Sequence, residues 1–190
     1  MTYYDDPNHV QQYIDMAEGY DGCEMVAALT KYLPEGAKVL ELGMGPSIDL
    51  ELLAHHYRVT GSDISRAFLD RFRNLNQDAD LVQLDAETIK TTTRFNGIYS
   101  NKVLHHLSPE QLHNSFLRQH DALLNEGIAL HSFWLGNREE TMHGLHFQYY
   151  QGEFLHSLVE PSFTILESTH YSEFEHNDSL YLVIKKINDK

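Results

Sequence analysis

Cysteine is nearly missing from this chain. Cys23 is the only one among 190 residues, so no disulfide can form within it. That fits a reducing, cytoplasmic setting. Long apolar runs are missing too: none approaches the roughly 20 residues that a membrane-spanning helix needs. The opening stretch, "MTYYDDPNHV", is acidic and polar, where a secretory signal would be basic and then apolar. Basic side chains are scarce, with 14 Lys and Arg against 28 Asp and Glu, for a formal charge of −14. Such a surface repels phosphate backbones and no local basic patch reverses it, so nucleic acid is not an expected partner. With no spanning segment, neither is a membrane. Repeats and low-complexity linkers are also absent. What is present is an ordinary globular composition, 42% apolar, on a length that suits one domain.

Short β-rich runs recur: "KVLEL" (38–42), "RVTGS" (58–62), "DLVQL" (80–84), "NGIYS" (96–100), "GIALHSF" (127–133), "FTILES" (163–168) and "SLYLVIKK" (179–186). Helix-like stretches separate them. Leu50, Leu53, Ala54 and Tyr57 fall on one helical face, and Val26, Leu29 and Leu33 suggest a helix before the first strand. "SPEQ" (108–111) has the form of a capping box with Pro109 in the first turn. Leu112, Phe116 and Leu123 continue one face, and Asn125–Gly127 mark its stop. Strands alternating with helices imply a parallel sheet. The last two strands are joined by a polar stretch without helical period (169–178), so they are expected to be antiparallel. The expected fold is α/β: a single Rossmann-like, doubly wound domain with a mostly parallel seven-stranded sheet and a reversed C-terminal strand. Residues 1–35 form a helical cap, 36–135 a cofactor-binding core, and 136–190 a substrate-facing insert with the last two strands.

The stretch "VLELGMGPSIDL" (39–50) runs from a strand into a glycine turn and a helix. Such a turn exposes backbone N–H groups and admits a ligand close to the main chain. Gly43 and Gly45 permit the dihedrals this needs. Glu41, Asp63 and Asp85 stand at the ends of three successive strands, along the rim where a doubly wound sheet binds ligands. An acid after the second strand suits the ribose of NAD or of S-adenosylmethionine. Three details separate the two. The dinucleotide pattern requires glycine where Ile48 stands. Glu41 before the turn suits a sulfonium and an ammonium better than a pyrophosphate. Asp85 offers a further anchor for an adenine amino group.

These segments resemble the class I S-adenosylmethionine-dependent methyltransferases. "VLELGMGPS" is similar to their first motif, "VTGSDIS" (59–65) to the segment after it, and "LVQLDAETI" (81–89) to their second motif. "FNGIYSNKVLHHL" (95–107) and "LLNEGIALHSFW" (123–134) are similar to the fourth strand with its loop and to the fifth strand. The resemblance implies S-adenosyl-L-methionine as cofactor. It places Gly43, Met44 and Gly45 at the methionine end with Glu41 shaping the turn, Asp63 on the ribose, and Ile64 on the adenine face. Asp85 and Ala86 would meet the adenine edge, Asn101 would give main-chain contacts to the methionine group, and Tyr20 would close over the cofactor. Ser47 departs from the commonest pattern, which has a third glycine. It is expected to be tolerated as an N-cap if its φ is not positive.

The methyl acceptor is expected to be a small molecule. Catechol-type enzymes place metal-binding acids where this chain has Ser100–Asn101 and Ser132–Phe133, so no metal is expected. "SNKV" lacks the Asn/Asp-Pro-Pro-aromatic motif of amino-methylating DNA enzymes, and Cys23 precedes the fold, which excludes C5-pyrimidine chemistry. His106, with His105, is the candidate base, since imidazole titrates near neutrality. His131 and Trp134 at the end of the fifth strand, and His143, His146, Phe147, Tyr149 and Tyr150 in the segment 136–151, are candidates to wall an acceptor pocket. Trp134, His146, Tyr149 and Tyr150 are the leading ones. Two other readings remain: a silent module that binds the cofactor without transfer, and a nicotinamide oxidoreductase, which Ile48 disfavours.

Overall fold

The computed structural model describes residues 4, 7–142 and 144–188. Two helices, α1 (Pro7–Met16) and α2 (Cys23–Thr30), precede the sheet. The core then alternates as β1 (Lys38–Leu42), α3 (Ile48–Ala54), β2 (Arg58–Asp63), α4 (Arg66–Leu75), β3 (Leu81–Gln83) and β4 (Phe95–Asn101). A 3-10 turn (Leu104–His106), α5 (Pro109–Ala122) and β5 (Leu123–Trp134) follow. A hairpin of β6 (Glu139–Met142) and β7 (Leu145–Gln148) leads to α6 (Gly152–Val159), β8 (Phe163–Tyr171) and β9 (Ser179–Lys186). Among the described residues no helix is long and apolar enough to cross a membrane.

The seven-stranded sheet has the order β3-β2-β1-β4-β5-β9-β8. Strands β1 to β5 pair in parallel, and β9 runs antiparallel to both β5 and β8. So β9 is the single reversed strand, as the helix-free connection 169–178 implies. The chain winds outward from β1 in both directions, which makes the β1/β4 boundary the switch point where such sheets bind ligands. Alternation along β1 sends Leu40 and Leu42 to one face and Val39 to the other. The first face packs against Leu112 and Phe116 of α5 and Leu155 and Val159 of α6. The second packs against Val26 and Leu29 of α2 and Leu53 of α3.

Helix α5 starts as its sequence requires. Gln111 N donates to Ser108 Oγ at 3.3 Å, and Ser108 N donates to Gln111 Oε1 at 3.0 Å. Its end comes earlier than the glycine signal indicates, because Leu123 already pairs with Phe95 as the first residue of β5. The register then shifts between Phe95 and Gly97, and Glu126 takes a positive φ to absorb the irregularity. Helix α3 buries Leu50 and Leu53, with Tyr57 buried beyond its end. Ala54, expected on that face, is exposed, since the helix closes there and the chain turns into β2. The segment 136–151 is a two-stranded hairpin pairing Glu139 with Gln148 and Thr141 with His146.

Candidate functional site

Strand β1 delivers Glu41 and Leu42 to the sheet edge, and the chain leaves it through Gly43 (φ 67°) and Gly45 (φ 44°). A Cβ on Gly43 would lie 2.6 Å from both Cγ atoms of Val103, so sterics and backbone both demand glycine there. Ser47 corrects the expectation stated for it. Its φ is 73°, and its hydroxyl bonds the carbonyl of Pro46, leaving the first turn of α3 without a side-chain cap. Met44 donates its backbone N–H to Ser62 O at 2.8 Å. Its side chain packs with Leu50, Leu69 and Phe72 in the core, so only its backbone belongs to the loop.

Three acids gather under this loop. Glu41 is buried, and its Oε2 has no hydrogen-bond partner among the described residues. Burial, with the nearby charges of Asp49 and Asp63, pushes its carboxyl well above the usual range. Asp63 accepts from Gly45 N at 3.0 Å through Oδ2 and from Ser65 N at 2.8 Å through Oδ1. Burial raises its carboxyl, although these amide bonds favour the charged form. Asp49, in the first turn of α3, is the acid that sequence reasoning missed. Its Oδ1 accepts from Gly22 N at 2.7 Å, and its Oδ2 accepts from Tyr99 OH at 2.7 Å and Asn101 Nδ2 at 3.0 Å. One carboxylate thereby joins the N-terminal segment, the glycine-loop helix and the end of β4.

Both ends of the Asn101 amide are engaged, since Oδ1 also accepts from Ser132 Oγ at 2.6 Å. Ile64 is 45% exposed at the rim, as a face for adenine must be. Asp85 accepts from Glu87 N and Thr88 N through Oδ1 at 2.8 and 3.0 Å, and Ala86 O accepts from Ser115 Oγ at 2.7 Å. Tyr20 is half exposed and its ring packs tilted against Phe174, with centroids 5.8 Å apart. Tyr13 of α1, which the sequence did not single out, lies 3.6 Å from where a Cβ on Gly45 would be. Burial and the charges of Asp63, Asp49 and Glu173 push its hydroxyl up.

The histidines behave differently from expectation. His106 Nδ1 lies 2.8 Å from the carbonyl of His146, so it carries the proton and donates it. Its Nε2 is 3.3 Å from His105 Nε2, which must then be the donor. Neither nitrogen of His106 is free to act as a base, and burial lowers its pKa. His105 Nδ1 is the open lone pair; it is buried and without a partner among the described residues. His131 is buried in β5 beside Ser100 Oγ at 2.8 Å, and burial pushes its pKa down to about 3. It belongs to the core.

Trp134 forms the centre of an aromatic cluster. It stacks on His105 (4.4 Å), Phe147 (5.8 Å) and Tyr149 (5.8 Å). Tyr149 OH donates to Glu140 Oε1 at 2.6 Å. His146 Nε2 is buried without a partner among the described residues. Tyr150 corrects a pocket assignment. It packs against Phe133 and Phe154 in the core and donates to Leu107 O at 2.5 Å. Position 143 lies outside the described residues. Lys102 and Glu173 form a partly buried ion pair beside Trp134 at 2.7 Å. Sequence gave no signal for that pair, because 71 positions separate its members. An open groove of about 980 Å³ lies at the opposite edge, lined by Lys38, Arg58 and Asp80, and touches none of these groups.

The family model of a methyltransferase domain matches residues 39–127, the stretch that runs from β1 into the start of β5 and holds the three acids. The chain superposes on the crystal structure of a 1,6-didemethyltoxoflavin-N1-methyltransferase of Burkholderia thailandensis, solved with 1,6-didemethyltoxoflavin and S-adenosylhomocysteine. The TM-score is 0.78 at 20% identity, covering 95% of this chain and 86% of that one. A TehB-like methyltransferase from Corynebacterium glutamicum gives a TM-score of 0.76 at 21% identity, covering 96% and 100%. The N-methyltransferase NodS of Bradyrhizobium japonicum, solved with S-adenosylhomocysteine, gives 0.66 at 15% identity, covering 97% and 90%. Among curated proteins none matches. Residues 39–127 thus match a methyltransferase-domain model, and the chain shares the fold of S-adenosylmethionine-dependent methyltransferases.

Proposed function

We propose that this protein transfers the methyl group of S-adenosylmethionine to a small-molecule acceptor. The observation that carries the reading is the cluster of Glu41, Asp49 and Asp63 around a left-handed glycine loop at the switch point. Buried acids favour a ligand bearing a sulfonium and an ammonium and disfavour a pyrophosphate. The unpartnered Oε2 of Glu41 fits a donor supplied by that ligand. In this reading Gly43, Met44 and Gly45 offer backbone to the methionine part, Asn101 offers main chain, Asp63 binds ribose, and Ile64 packs on adenine. Asp85 and Ala86 meet the adenine edge, and Tyr20 closes the cleft. Trp134, Tyr149 and His146 wall the acceptor side, with His105 as a hydrogen-bond acceptor there. Residues 1–35 serve as cap, 36–135 as cofactor core and 136–190 as acceptor-facing part.

Bound cofactor supplies an activated methyl group, so the protein mainly aligns the acceptor and excludes water. Thermal unfolding tests the reading. S-adenosylhomocysteine at about 100 times its dissociation constant should add about 2.7 kcal/mol of stability. NAD should add none. A shift with NAD and none with the adenosyl ligand would overturn the assignment. Cofactor binding without methyl transfer into any metabolite pool would favour a silent binding module.

A further inference from the structure

Lys102 follows Asn101 at the end of β4 with φ 56°, a left-handed conformation uncommon for a residue other than glycine. Its amide donates to Ser132 Oγ at 2.9 Å. Its Nζ lies 5.3 Å from the Trp134 ring centroid and 5.2 Å from that of Tyr171. It also donates to Glu173 Oε2 and Ser179 Oγ, each at 2.7 Å. Glu173 Oε2 accepts in addition from Trp134 Nε1 at 2.8 Å and Ser179 Oγ at 3.3 Å. Every one of these bonds falls on Oε2, and no described residue donates to Oε1. The loop that carries Glu173 is itself held by Asp178, which accepts from the amides of Glu173, Phe174 and Glu175 at 2.8 to 2.9 Å.

Taking an ion pair even partly out of water is costly, and it is weak evidence of a stabilising role. Here the pair stands where β4 and β5 end, beside the aromatic walls and within electrostatic reach of Tyr13 over the glycine loop. Resting on the methyltransferase reading, we propose that Glu173 receives the acceptor's proton through Oε1, and that Lys102 positions Glu173. The acceptor is then a flat molecule whose nucleophile is an N–H or O–H group. Its lone pair forms the new bond to the methyl carbon. The carbon–sulfur bond breaks, with its electron pair going to sulfur, and the proton passes to Glu173 and on to solvent. The groups facing this carboxylate are Lys102 from the β4 end, Tyr171 from β8, Tyr13 from α1 and Asp178 within its own loop.

Incubating the protein with methyl-labelled S-adenosylmethionine and a small-molecule cell extract, and counting label in the extract, tests this. Glu173→Gln keeps the shape and should lower transfer about 100-fold, the scale of a lost general base. Its S-adenosylhomocysteine affinity should stay within about twofold, because the Glu173 carboxylate bonds Trp134, Ser179 and Lys102 and no proposed cofactor group. Lys102→Met keeps the stem between the rings, and it should move the acid limb of the pH profile upward by removing the facing cation. Transfer by Glu173→Gln within threefold of the parent overturns the proposal, as does loss of S-adenosylhomocysteine binding in that variant, which would make the pair structural. No transfer by the parent protein overturns the methyltransferase reading itself and the role of Glu173 with it.

Discussion

The backbone amide of Gly22 donates to Oδ1 of Asp49 at 2.7 Å. This bond ties the segment that carries Tyr20 to the first turn of α3, directly beside the glycine loop. The fit is tight: a Cβ on Gly22 would lie 2.2 Å from the Tyr99 hydroxyl and 2.5 Å from Asp49 Oδ2. Asp49→Ala should leave the Gly22 amide, the Tyr99 hydroxyl and the Asn101 amide without their partner. A loss of about 3 kcal/mol is expected, at about 1 kcal/mol or more for each abandoned group. Urea unfolding measures it, and a loss under about 1 kcal/mol would show that water replaces the carboxylate.

Ser47 holds a left-handed φ of 73° without gaining a cap bond to α3. Ser47→Gly should relieve strain worth about 1 kcal/mol, offset in part by the freer unfolded chain. The net expectation is a gain of about 0.5 kcal/mol, seen as a higher midpoint in urea. Ser47→Val should destabilise, since a β-branched side chain is worse in that region.

Burial holds His131 neutral, with a pKa of about 3, and lowers His105 and His106 as well. A base with a depressed folded pKa binds more protons when unfolded. Its contribution to stability is therefore present above the unfolded value, about 6.5, and is lost as pH falls below it. Glu41 and Asp63, with raised values, act in the opposite sense over part of that range. His131→Leu should make the acid loss of stability shallower by about one proton, or about 1.4 kcal/mol per pH unit below pH 6. An unchanged slope would mean that His131 is already charged in the fold.

Both nitrogens of His106 are engaged, one with His146 O and one with His105. His106→Gln should therefore lower methyl transfer by less than about tenfold, below the 100-fold or more expected from losing a general base. Measured rates with any accepted metabolite decide this, and a loss of 100-fold would restore His106 as the base.

Much of the fold is legible in the sequence, because strand and helix periods and turn residues act locally. The "SPEQ" box, the glycine loop and the helix-free link before β9 each follow from near neighbours. The placement of three acids along one rim is legible for the same reason: Glu41 and Asp63 lie at the ends of β1 and β2 and Asp85 just past β3, strands whose order the fold class dictates. The acceptor side is not. Glu173 reaches Lys102 across 71 positions, and no spacing rule connects a loop after β8 to the end of β4. Tyr150 and Tyr149 are adjacent and alike in sequence. Yet one sits in the core and the other on Trp134, because successive residues point opposite ways. Ser47 shows the remaining limit, since a positive φ at serine leaves no mark in residue type.

The central claim is that the acidic glycine loop holds an adenosyl ligand, with Asp63 on its ribose. Calorimetric titration of S-adenosylhomocysteine into the parent protein and into Asp63→Ala tests it most directly. One site per chain is expected in the parent, with at least about tenfold weaker binding in the variant, the scale of about 1.4 kcal/mol for lost charged hydrogen bonds. Equal affinity in the two proteins, or no heat with S-adenosylhomocysteine while NAD binds, would contradict the account.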